Sequence, residues 1–190
     1  MASMSVEMAA ARLLAPYFGT SLYIWGILIG LVLAYLTAGY WLGGRLADAR
    51  PRRRLFYGVN AAGAVAVAAV GLLATPVLTE ALLSTAGVPY GLFIGALAGC
   101  IALFAVPIIV LGAVNPFAIR LSVSHVAASG NVAGAVFALT TIGSLIGTFG
   151  AVFLFIPSIG TRATLYVFAG ALFATACGGL LTNRATDEER

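Results

Sequence analysis

Lysine is absent from this sequence, acidic residues number only six, and there is a single histidine. With His125 alone, and with Cys100 and Cys177 in separate apolar runs, neither a zinc cluster nor a histidine-based triad has its ligands. Each cysteine reads as a small packing residue and not as half of a disulfide. Charged residues make up 8% of the chain, against about 25% in an ordinary soluble domain, which is too few to cover a water-soluble fold of 190 residues. No Walker loop occurs, and no G-x-G-x-x-G follows a strand-like run. No segment alternates long enough to build a nucleotide-binding sheet, so the sequence offers no catalytic residues, no cofactor site and no catalytic domain of its own.

What it has in abundance is apolar length. Hydrophobic residues account for 62% of the chain and cluster in runs that reach the roughly 20 residues needed to cross a hydrocarbon core about 30 Å thick. The expected fold class is all-α: an integral membrane helical bundle. Five full transmembrane helices are expected at about residues 21–44, 55–76, 90–113, 132–156 and 163–181, within a bundle covering 19–182. Residues 1–18 are expected to form a short helix ended near Pro16, too short to cross. An interfacial helix, a helix packed halfway into the bundle and the end of a longer, truncated or re-entrant helix are the open readings of that segment. Residues 183–190 form a polar tail.

Charge sets the expected topology. All ten basic residues are arginine, and the net charge is +4. Because the arginines sit in short connections and not along an aromatic-bearing face, they argue for membrane orientation and against a nucleic-acid partner. Residues 45–54 carry Arg45, Arg50, Arg52, Arg53 and Arg54, so this loop is expected in the cytoplasm of a multi-pass protein of the inner (plasma) membrane, with the C-terminus on the same side. The connection bearing Glu80 and the turn at 157–162 then lie outside, where Arg162 runs against the rule. Pro107 and Pro116 predict kinks in the third span, and Asn115-Pro116 a break that frees carbonyls for a polar site.

Other candidates follow from polar groups in apolar runs. Glu7 is the one acidic residue within an apolar segment, where a charge is costly and a functional role is the first reading; a solvated interfacial position is the alternative. Thr140, Thr141, Ser144 and Thr148 add hydroxyls to the glycines of the fourth span, either to bond backbone within the bundle or, together with Glu7 and Asn115, to line a polar path. Small residues four apart recur as Gly26 and Gly30, Gly39 and Gly43, Gly91, Gly95 and Gly99, Gly130 and Gly134, and Gly143 and Gly147, a spacing that lets helix backbones approach closely in lipid.

Four blocks, EMAAARLLAPYFGTS (7–21), GYWLGGRLADARP (39–51), NPFAIRL (115–121) and GNVAGAVFALTTIGSLIGTFGAVFLFIPSIGTR (130–162), together resemble the membrane portion of bacterial fused transporter-like and spermidine-synthase-like proteins. The resemblance implies a membrane module that anchors or serves a soluble aminopropyltransferase, and a polyamine as the associated substrate. It also implies a first helix that begins upstream of Glu7. The loop GGRLADARPRRR (43–54) is similar as well to the loop between the second and third helices of major facilitator transporters, which implies a bundle resembling half of such a transporter and a cytoplasmic gating role for Gly44, Asp48, Arg52, Arg53 and Arg54. Plain topological anchoring explains the same arginines. Two functions are thus expected: a non-catalytic module paired with a separate spermidine-synthase-like enzyme or, alternatively, a small transporter of polyamines or related cations acting as a homodimer.

Overall fold

Backbone amides in hydrocarbon have no water to bond, so apolar runs of this length must close their hydrogen bonds within each segment. In the computed structural model, which describes residues 2–123 and 129–188, with side chains over 4–123 and 129–182, the described chain is helical throughout, without strands. Its elements are α1 (Ala2–Phe18), α2 (Leu22–Ala49), α3 (Arg53–Ser84), α4 (Gly91–Ser122), α5 (Ser129–Phe149), a π-helical segment (Gly150–Phe155), α6 (Ile156–Ile159) and α7 (Thr161–Glu188). Five of these helical stretches are long and apolar enough to cross a membrane, the fourth being α5 together with the π-helical segment and α6. The chain is a multi-pass membrane protein of five such helices plus the short α1, which at 17 residues is about 25 Å long.

Several helices run past the boundaries expected from sequence. Residues 45–49 belong to α2, so the arginine connection shrinks to Arg50, Pro51 and Arg52. The Arg50 amide closes α2 on the Leu46 carbonyl at 2.9 Å, and Pro51, lacking an N–H, stops it there. Helix α3 continues through Pro76 to Ser84, which places Glu80 on a helix and not in a connection. Helix α4 passes through Pro107 and Pro116 without the expected break at Asn115. One missing N–H does not end a helix whose other bonds have no solvent to replace them. Pro16 likewise lies inside α1. The turn expected at 157–162 starts only at Gly160, because a π turn absorbs Pro157: the Ile156 amide reaches back five residues to Ala151. Gly160 then reverses the chain at φ 83°, a conformation that suits a residue without Cβ.

Helix α4 is the centre of the bundle, lying between α2 and α3, while α3 packs in turn on α7. Its most apolar stretch is 44% buried, against 11% for that of the fourth span, α5 with the π-helical segment and α6, which sits at the periphery. Two of the spaced glycines explain the α2–α4 contact: a Cβ on Gly39 would lie 2.4 Å from the Ile109 carbonyl oxygen, and one on Gly43 2.4 Å from Ala113 Cα. By contrast, Gly26, Gly30, Gly130 and Gly134 face open space. Helix α1 is inserted among the others, touching α2, α3, α4, α5 and α7, with Val6, Ala9, Ala10 and Leu14 fully buried. It is therefore a helix packed into the bundle and not one lying at an interface.

Candidate functional site

The periodicity of α5 places Phe137, Thr140, Thr141 and Ser144 on one face, at spacings of three, four and seven residues. That face borders a cavity of about 420 Å³ between α5 and the α2–α4–α3 layer. Helix α4 contributes Leu111, Gly112, Val114 and Asn115; α2 contributes Leu36 and Tyr40; α3 contributes Asn60; Leu172 of α7 and Met4 of α1 complete the wall. Pro116 has no N–H to give to the carbonyl of Gly112, four residues back and in the same wall. Thus the polar role expected for Asn115-Pro116 needs no broken helix.

The cavity wall is largely apolar but carries several uncharged polar groups, and among the described residues no arginine, aspartate or glutamate lines it. Asn60, 8% exposed, donates its side-chain N–H to the Phe56 carbonyl at 2.8 Å, leaving its carbonyl oxygen as an acceptor. Thr140 donates to the Phe137 carbonyl at 3.0 Å and keeps its lone pairs. Such a wall offers amide and hydroxyl groups to a small polar solute, but no nucleophile–base pair for catalysis.

Of the polar-path candidates, the structure brings together Asn115, Thr140, Thr141 and Ser144. Thr148, one further turn along α5, does not line the cavity. Ser5 donates to the Gly147 carbonyl at 3.3 Å, tying α1 to α5 just before Thr148. Glu7 is held apart in an apolar cleft of about 120 Å³ between α1 and α2, with Met8, Trp25, Ile29 and Val32 among its neighbours. Its Oε1 is buried with no hydrogen-bond partner among the described residues. Met4 and Leu36 line both spaces and form the partition between them. Asn60 and Tyr40 went unrecognised in the sequence. A lone asparagine in the apolar run 55–76 is a usable signal, whereas Tyr40, next to Trp41 near the end of an apolar run, reads as an aromatic residue at the membrane interface.

The residues of the expected gating loop are mostly helical. Gly44 lies in α2 near the Pro116 side chain, and Asp48 in the last turn of the same helix. Arg52 caps α3, whose first turn holds the exposed Arg53 and Arg54. Asp48 pairs with Arg120, whose Nε donates to Oδ1 at 2.9 Å, so the 39–51 and 115–121 blocks meet where α2 and α4 end. Both side chains are well exposed, and pairs of this kind contribute under about 1 kcal/mol. Asp48→Asn is therefore expected to leave the melting temperature within about 3 °C of wild type, as read by a thermal melt in detergent. His125 lies outside the described residues. Comparisons with protein-family models, with curated proteins and with solved structures return no match.

Proposed function

We propose that this chain is a non-catalytic membrane module that takes a small polar solute into the cavity between α2, α3, α4, α5 and α7. The observation that carries this reading is the convergence of Asn60, Asn115, Thr140, Thr141 and Ser144 on one space that no charged side chain among the described residues lines. With the arginine-bearing end in the cytoplasm by the positive-inside rule, the cavity belongs to the cytoplasmic half of the bundle. A second copy would supply the other half of an enclosed path, as paired repeats do in larger carriers.

Electrostatics bears on the solute. A polyamine carries several positive charges, yet no carboxylate lines the cavity, and Arg45, Arg50, Arg52, Arg53 and Arg54 crowd the nearby helix ends. A neutral or zwitterionic solute suits these surroundings better than a polycation. The second reading, an anchor for a soluble spermidine-synthase-like enzyme, draws on the sequence resemblance and on the exposed arginines of the α2–α3 connection.

Proteoliposome uptake of labelled alanine, succinate and spermidine tests the proposal. Ser144→Phe projects a ring into the cavity and is expected to cut uptake of the accepted solute at least about tenfold without lowering the melting temperature. If wild type moves none of the three, or if Ser144→Phe moves the solute as well as wild type does, the cavity is not a transport site.

A further inference from the structure

The arginine that defies the charge rule has company. Arg162, at the start of α7, and Arg12, on α1, line a single cavity of about 410 Å³ at the end of the bundle opposite the arginine connection. Leu13, Pro16, Tyr17 and Thr161 are among the other residues there, and no acidic side chain lines it. Arg162 gives one N–H to the Thr75 hydroxyl on α3, which fixes the guanidinium and leaves most of its five donors unspent. Arg12 is exposed on the neighbouring helix. Two like charges thus line one partly apolar pocket in which no acidic side chain among the described residues offsets them. Topology does not account for them either, since basic residues are disfavoured at this end.

From these two guanidinium groups we infer that the pocket between α1 and the α6–α7 turn binds a phosphate-type anion, supplied as a free ion or as the headgroup of an anionic lipid. Guanidinium groups bind phosphate oxygens through paired N–H donors, and the Tyr17 ring and Leu13 give the pocket an apolar side that suits the glycerol region of a lipid. The start of α7 adds a favourable partial charge at the same place, although the arginines and not the helix end carry the site. This site is separate from the solute cavity, which shares no residue with it.

The test uses the full chain in detergent, with phosphatidylglycerol and phosphatidylcholine titrated and followed by native mass spectrometry, and inorganic phosphate titrated in a thermal melt. Wild type is expected to prefer the anionic probe, and R12Q to lose roughly fivefold in that affinity, the weight of one arginine beside an anionic headgroup. Because wild type and R12Q share every arginine of the α2–α3 connection, their difference reports on this pocket alone. Loss of phosphatidylglycerol retention in R12Q identifies a lipid headgroup as the source; loss of a phosphate-induced rise in melting temperature identifies the free ion. R162Q should behave like R12Q, while R12Q remains informative if removal of the Thr75 bond unfolds its counterpart. Wild type and R12Q binding both probes equally would overturn the site.

Discussion

Gly43→Leu is expected to destabilise the protein by more than about 3 kcal/mol, lowering the melting temperature in detergent by about 6–12 °C or abolishing monodisperse protein altogether. Any Cβ at this position falls 2.4 Å from Ala113 Cα and 2.6 Å from the Ala113 carbonyl oxygen. The obstruction is backbone, which cannot swing aside as a side chain can, so α2 and α4 would have to separate along their whole contact. In lipid this is costly, because no hydrophobic force compensates for lost van der Waals contact between helices. Gly30→Leu is the control: the same helix and the same four-residue spacing, but nothing within 4 Å of the added Cβ, so its melting temperature should match that of wild type. Equal melting of Gly43→Leu and Gly30→Leu would mean that α2 and α4 do not touch through Gly43.

Glu7→Leu should act in the opposite direction and raise stability by about 1–3 kcal/mol, a gain of about 2–12 °C. The buried Oε1 has no hydrogen-bond partner among the described residues, and the cleft around it is built from Met4, Met8, Trp25, Leu28 and Val32. Ionised or protonated, a polar atom in such a place has lost its water without replacement. Leucine fills a similar volume without that penalty, whereas Glu7→Gln keeps an unpaired polar group and should change little. A lower melting temperature for Glu7→Leu would show that the carboxyl has a structural partner. Measured in the same proteoliposomes as Ser144→Phe, the leucine variant also separates the cleft from the cavity: uptake that survives Glu7→Leu places Glu7 outside the solute route.

The polar candidates of the fourth span were visible because hydroxyls in an apolar run are conspicuous and helical spacing aligns Thr140, Thr141 and Ser144 with one another. Their partners on other helices were not visible in the same way. Asn115 was singled out for a broken helix, yet it reaches the cavity from an unbroken one, with Pro116 and the Gly112 carbonyl beside it. Asn60 was passed over because a single polar residue says nothing about which neighbour it faces. Glu7 and the hydroxyls were grouped into one path on the strength of polarity, and the fold separates them behind Met4 and Leu36.

By itself the sequence determined the solvent, the helical class and the five long apolar helices, since each depends on local hydrophobic length and on the need of a backbone in lipid to bond itself. Only the tertiary structure decided that α4 lies between α2 and α3, that α1 enters the bundle, and that Gly39 and Gly43 carry a contact while Gly26 and Gly30 do not. The same is true of Arg12 meeting Arg162 in one pocket. The reason is physical: in a membrane both the buried and the lipid-facing sides of a helix are apolar, so the polarity pattern that marks the inner face of a soluble helix is nearly silent, and shape decides which faces meet.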